Sequence, residues 1–125
     1  MRTTIPAIRA KCERLCIMRT GAIVCDMTNK IFASAADAVA DIPDGASLAV
    51  GGFGLVGIPA VLIDALLEQG ATDLKTVSNN CGTDGFGLGK LLEARRISRT
   101  TASYVGANQE FARQYLNGEL EVELT

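Results

Sequence analysis

The sequence predicts an α/β fold, an open and mainly parallel sheet with helices on both faces. Three observations lead there. Short apolar runs of strand length alternate with longer segments of helical apolar spacing. Brief polar or glycine-marked breaks separate them. A hydrophobic fraction of 48% with only 5% aromatics suits a core of Val, Leu and Ala.

Taken in order, Ser34 followed by Asp37 forms an N-cap box that opens a helix over 35–40. Residues 47–50 make the first strand, and the glycine-rich stretch 51–57 follows as a turn. Pro59 opens a helix over 59–69, which stops at Gly70, a good helix-ending residue. Val61, Leu62, Ile63, Ala65, Leu66 and Leu67 make that helix apolar on nearly every side, so burial is expected, under another protein chain if not within this one. Residues 74–78 read as the second strand. A helix follows over 86–96, with Phe86, Leu88, Leu91 and Leu92 inward and Arg95 and Arg96 at its negative end. Residues 100–105, rich in β-formers, read as the third strand. Asn108 caps a helix that runs to Leu116 and closes at Asn117-Gly118. Residues 119–124 alternate Glu with Leu or Val, a period-2 strand with one wet face. No internal repeat or low-complexity tract interrupts this order. The last strand lacks a closing helix, so the fold is expected to be truncated at its C-terminus.

Charge divides the chain unevenly. Residues 1–26 hold Arg2, Arg9, Lys11, Arg14 and Arg19 against Glu13 and Asp26, while the whole chain carries a net charge of −2. This segment reads as an N-terminal extension, disordered or preceding the true start, since Met18 and Met27 offer later ones. A basic targeting peptide is the alternative, although serine is scarce and no amphipathic pattern is evident. Residues 27–125 form the folded domain. The overall acidity gives no reason to expect nucleic acid or an anionic membrane as partner. Residues 45–63 are uncharged and long enough to span a bilayer, but five glycines and a proline divide them into strand, turn and helix. Cys12, Cys16, Cys25 and Cys81 form no C-x-x-C pair, and the chain has no histidine, so free thiols in a reducing cytosol are expected over a metal site.

The stretch around Gly51, Gly52, Phe53, Gly54, Leu55, Val56 and Gly57 bears most directly on function. Glycine lets a ligand approach the backbone, and a helix start beyond the turn presents free N–H groups to an anion. A phosphate or a developing oxyanion would be stabilised there. Gly52-x-Gly54-x-x-Gly57 satisfies the dinucleotide fingerprint formally. Yet the second strand ends in Ser78-Asn79-Asn80, where that fingerprint requires an acid for the ribose. A Walker loop fails as well, for want of Gly-Lys-Ser/Thr. Asn79 and Asn80 stand at a strand end, able either to donate to a carboxylate or thioester oxygen or to form a turn. Ser78 and Cys81 have no evident base, and without histidine no Ser–His or Cys–His pair exists. Asp41, Asp44, Glu119, Glu121 and Glu123 read as a turn and a solvated strand face. Gly51–Gly57, 79–82 and 106–108 all fall at the C-terminal edge of the sheet, where such folds bind ligands.

Several of these segments together resemble one family. Asp44-Gly45-x-x-Leu48-Ala49-Val50-Gly51-Gly52-Phe53-x-x-x-Gly57-x-Pro59 is similar to the first signature of the family I coenzyme A transferases. These enzymes pair two kinds of subunit. Ser78-Asn79-Asn80-Cys81-Gly82, Phe86-Gly87-Leu88-Gly89, Ser103-Tyr104-Val105-Gly106 and the run from Glu119 to Thr125 resemble the first subunit of the 3-oxoacid type. The similarity runs from about Lys30 to Thr125. It implies a Rossmann-like CoA-transferase fold in a cytoplasmic hetero-oligomer, moving coenzyme A from succinyl-CoA to a 3-oxoacid such as acetoacetate. It also implies that the nucleophilic glutamate lies in a Ser-Glu-Asn-Gly segment of the second subunit, a segment this chain lacks. The chain then contributes no catalytic residue of its own. The resemblance carries CoA binding onto Gly51–Gly57, and substrate contact is expected at Asn79 and Asn80. The coenzyme A thioester is a substrate, with no resident cofactor or metal. Gly106-Ala107-Asn108 departs from the usual Gly-Glu-Asn. The alternatives are a non-catalytic module binding CoA or phosphate, and a fragment of a dinucleotide-dependent oxidoreductase.

Overall fold

The computed structural model describes residues 31–125. The basic N-terminal segment, with its three cysteines and the targeting alternative, lies outside the described residues. Four strands, β1 (Ser47–Val50), β2 (Leu74–Ser78), β3 (Ile97–Ala102) and β4 (Glu121–Leu124), alternate with four helices, α1 (Ala35–Val39), α2 (Ala60–Gln69), α3 (Leu88–Glu93) and α4 (Gln109–Leu116). The strands lie side by side in chain order and every pair is parallel. The open parallel α/β sheet read from the sequence is therefore the observed one.

Register shows how the sheet is covered. Leu48, Thr76 and Thr100 are aligned across β1, β2 and β3 and all are buried, as are Val50, Leu74 and Ala102 on the same face. Each helix touches the next, α1 on α2, α2 on α3 and α3 on α4, in one layer over that face. The other face, with Ser47, Ala49, Lys75, Val77, Arg99 and Thr101, is exposed or half-exposed. Helices were expected on both faces; among the described residues they occupy one.

Several boundaries follow expectation for the expected reasons. The Ser34 hydroxyl accepts the Asp37 N–H at 3.1 Å and opens α1. Gly70, at φ +92°, closes α2 with its N–H on the Leu66 carbonyl. Asn108 Oδ1 accepts the Phe111 N–H at 2.8 Å and opens α4.

Others differ. The helix expected over 86–96 is only α3, because Gly87 at φ +58° cannot lie in a right-handed helix and Arg95 at φ +55° ends it early. The Arg95 and Arg96 N–H groups bond back to the carbonyls of Leu92 and Leu91, a Schellman closure with arginine in the glycine position. Phe86, expected inward, is 60% exposed. The early closure lets β3 begin at Ile97, before the expected residue 100. It ends at Ala102 because the Ser103 and Tyr104 N–H groups turn to the Asn79 carbonyl. The last strand is β4 alone, since Glu119 closes α4 through the Gln114 carbonyl and Leu120 drops into the core. Helix α2, expected to be buried all round, buries only Ile63 and Leu66, while Val61 is exposed.

Candidate active-site wall

The glycine segment after β1 is a hairpin. Phe53 and Val56 exchange both backbone hydrogen bonds at 2.9 Å, with Gly54 at φ +60° in the first central position, the type II′ pattern. A second hairpin follows β2. Thr83 and Phe86 exchange hydrogen bonds at 3.3 and 3.0 Å, with Gly85 at φ +73° in the second central position. Each hairpin is flanked by glycines, Gly52 and Gly57 in the first and Gly82 and Gly87 in the second, all at positive φ. The expectation of no internal repeat thus misses a local one, and its signal, G-x-x-x-x-G after each of the first two strands, was present in the sequence.

Two of these glycines are sterically required. A Cβ on Gly52 would lie 2.7 Å from Ile58 Cγ2 and 3.0 Å from the Val56 carbonyl oxygen. A Cβ on Gly82 would lie 2.5 Å from both the Gly89 nitrogen and the Phe86 carbonyl oxygen. The hairpins also pack on each other, with Gly87 against Ile58 and Leu55.

Between them, beyond the carboxyl ends of β1 and β2, lies a small cleft. It is lined by Val50, Gly51, Gly52, Gly54, Ile58, Ser78, Asn79, Asn80, Gly82 and Leu88. Its volume of about 10 Å³ admits one water-sized group, such as a single oxygen of a larger ligand. No lining side chain is ionisable. A larger hollow of about 310 Å³, beside Asp73, Arg95 and Glu119, sits at the opposite end of the strands, away from where parallel sheets bind ligands.

The structure brings Gly51, Gly52, Gly54, Asn79 and Asn80 together at the cleft, while Phe53, Leu55, Val56 and Gly57 form the hairpin tip and its return outside the lining. Sequence reasoning placed Gly82 at this edge without a site role, and missed Ile58 and Leu88. The amides of Phe53 and Val56 are consumed within the hairpin, whereas those of Gly51, Gly52 and Gly54 meet no acceptor among the described residues. The first turn of α2 does not line the cleft, contrary to the expected helix start aimed at the ligand. Ile58 and Pro59 intervene, and the Ala60 N–H is taken by the Ile58 carbonyl. This hairpin and its return also separate the segment from a dinucleotide loop, in which the glycines open directly into the helix.

The two asparagines divide their work. Asn80 is buried, its Nδ2 reaching the Gly82 carbonyl at 3.4 Å and its own carbonyl accepting the Ser78 hydroxyl at 2.7 Å. Asn79 is half-buried; its carbonyl is held by Ser103 and Tyr104, but its side-chain amide has no partner among the described residues. The segment 106–108 lies behind the cleft, with Asn108 Nδ2 donating to the Cys81 carbonyl at 3.1 Å.

Cys81 is a buried free thiol. Burial pushes its thiol up to about 11, against smaller opposing effects of hydrogen bonds to Thr100 and Thr76. The carboxylates that titrate low lie elsewhere. Hydrogen bonds from Arg113, then Gln114, hold Glu110 down to about 2, and the Thr72 N–H holds Asp44 low. Glu123 is lowered mainly by its hydrogen bond from Arg99 on the open sheet face. Among the described residues no group of His, Cys, Asp or Glu could hold a metal ion, and no helix is long and apolar enough to cross a membrane.

Comparison with known proteins bears on the fold and the family. A crystal structure of a variant of the decarboxylase AibA/AibB superposes with a TM-score of 0.59 at 32% identity, covering 71% of this chain and 36% of that one. The chain is 69% identical over 97 residues to one of the subunits of the probable succinyl-CoA:3-ketoacid coenzyme A transferase of Mycobacterium tuberculosis, covering 78% of this chain and 39% of that protein. It is 56% identical over 95 residues to the corresponding subunit of the succinyl-CoA:3-ketoacid coenzyme A transferase of Xanthomonas campestris, covering 75% of this chain and 39% of that protein. It thus spans about two-fifths of the length of these curated relatives. The family model for coenzyme A transferase matches residues 32–125, nearly all of the described fold, and the chain belongs to that family.

Proposed function

We propose that this chain is the N-terminal part of the first subunit of a cytoplasmic 3-oxoacid CoA-transferase, with residues 27–125 as its folded portion. The enzyme moves coenzyme A from succinyl-CoA to a 3-oxoacid such as acetoacetate. The observation that carries the reading is a cleft walled by glycine backbone and asparagine, with no ionisable side chain. Such a wall supplies hydrogen-bond donors to an acyl oxygen and no nucleophile. The donors of Gly51, Gly52, Gly54 and Asn79, unpaired among the described residues, are the groups this wall offers to the charge that develops when a thioester carbonyl is attacked. The relatives, named as the same one of the two transferase subunits, support this assignment.

The nucleophile is then a glutamate of the second subunit. Its carboxylate attacks the succinyl-CoA carbonyl and expels CoA thiolate, leaving a mixed anhydride on the partner. The thiolate attacks the glutamyl carbonyl, releasing succinate and forming a glutamyl-CoA thioester. The acceptor's carboxylate reverses both steps, and the acyl-CoA product leaves with the glutamate restored. No resident cofactor is required. Phe53, Val56, Phe86 and Tyr104 are exposed on and beside the hairpins, an apolar rim that suits closure by a partner chain. The decarboxylase on a similar fold does not redirect the reading, since a shared fold leaves the reaction to the site.

The test is reconstitution. This chain, extended to the length of its relatives, is mixed with a second subunit bearing Ser-Glu-Asn-Gly, and acetoacetyl-CoA formation from succinyl-CoA and acetoacetate is followed. Turnover is expected only in the mixture. No turnover with retained CoA binding would leave a non-catalytic module and overturn the reading.

A further inference from the structure

We propose that Asp84 is a positioning residue for the cleft, pinning the second glycine hairpin to the amino end of α4. This role rests on the reading of the cleft as a CoA-thioester site. Asp84 stands at the hairpin tip, far in sequence from what it holds. Its Oδ1 accepts the Gln109 N–H at 2.9 Å and the Glu110 N–H at 3.2 Å, and its Oδ2 lies 3.2 Å from the same Gln109 nitrogen. The first amides of a helix have no acceptor within it, and a carboxylate there also meets the positive end of the helix dipole. Asn108 caps the Phe111 N–H from within the chain segment; Asp84 takes the two amides before it, from another element.

The clamp works on the cleft through a continuous piece of backbone. Asn108, the residue that opens α4, also holds the Cys81 carbonyl. Ser103 and Tyr104 hold the Asn79 carbonyl at 3.0 and 3.1 Å. Glu93 Oε1 accepts the Gly85 N–H at 2.6 Å and steadies the other side of the tip. The wall carrying Asn79, Asn80 and Gly82 is thereby fastened at both ends to the β3–α4 connection, and Asp84 makes the outermost fastening. A wall ordered before the ligand arrives spends less of the binding energy on its own ordering.

The test compares wild type, Asp84→Ala and Asp84→Asn in the full 125-residue chain, reading amide hydrogen exchange by segment and CoA affinity by calorimetry. Asp84→Ala is expected to speed exchange over 82–87 by about tenfold and to weaken CoA binding by about tenfold, with exchange in β2 unchanged. Asp84→Asn keeps an acceptor and is expected to restore most of both. Wild-type exchange over 82–87 in Asp84→Ala would overturn the clamp; faster exchange with unchanged CoA affinity would overturn its positioning role. If wild type alone binds no CoA, affinity is read on the chain reconstituted with the second subunit, while exchange decides the clamp. Should Asp84→Ala fail to fold, Gln109→Pro takes its place. It removes one of the two amides that Asp84 grips, at a helix position proline suits, after an Asn108 that is already extended, and must move exchange in the same direction.

Discussion

Asn79 and Asn80 are adjacent and chemically identical, yet only one is free to act on a ligand. Asn80 spends its amide on the Gly82 carbonyl and keeps the turn. Asn79→Ala is therefore expected to leave the melting temperature nearly unchanged while weakening CoA-thioester binding about tenfold, read by calorimetry. Asn80→Ala is expected to cost about 1 kcal/mol in denaturant titration. Gly82 is constrained on two counts, a φ of +69° and backbone atoms at 2.5 Å from any Cβ. Gly82→Ala should destabilise by about 2–4 kcal/mol, because the obstructing atoms are backbone, of Phe86 in the hairpin and of the start of α3, and cannot swing aside. A variant as stable as wild type would contradict that packing.

Capping residues carried much of the element-level information. Ser34, Gly70 and Asn108 each announce a helix boundary by local chemistry, and the structure places each boundary there. The missed boundaries share a cause. Arg95 occupies a left-handed position that composition assigns to glycine, so α3 stops and β3 starts earlier than propensity indicates. Arg95→Gly should raise stability by about 0.5–1 kcal/mol in a thermal melt, since the strain relieved outweighs an exposed pair with Glu119 at 3.3 Å. The two hairpins were legible only as glycine spacing, because their hydrogen bonds depend on φ values that no propensity encodes. Glu110 on α4 ties pH to stability. Its folded value of about 2 lies below the ordinary 4.5, so its contribution is fully present above 4.5 and is lost as pH falls toward 2. Asp44, Glu119 and Glu123 are lowered in the same direction. Melting temperature should therefore hold above pH 4.5 and decline below it, and Glu110→Gln should soften the decline.

At the scale of the molecule, a one-layer parallel sheet concentrates the site at one edge. Each βα connection leaves the same end of the sheet, so two hairpins from neighbouring strands meet there and enclose a cleft the size of an oxygen. That convergence was readable in outline, because β1 and β2 are adjacent in sequence and parallel strands bind at their carboxyl ends. The uncovered second face was not, since alternating strands and helices do not state on which side each helix packs. The central claim is a division of labour in which this chain holds the acyl group and the partner supplies the nucleophile. The most direct measurement is mass spectrometry of both chains after incubating the reconstituted pair with succinyl-CoA and trapping. The account predicts a covalent CoA adduct on the partner's Ser-Glu-Asn-Gly glutamate and none on this chain. An adduct on this chain, or turnover with none on either chain, would contradict it.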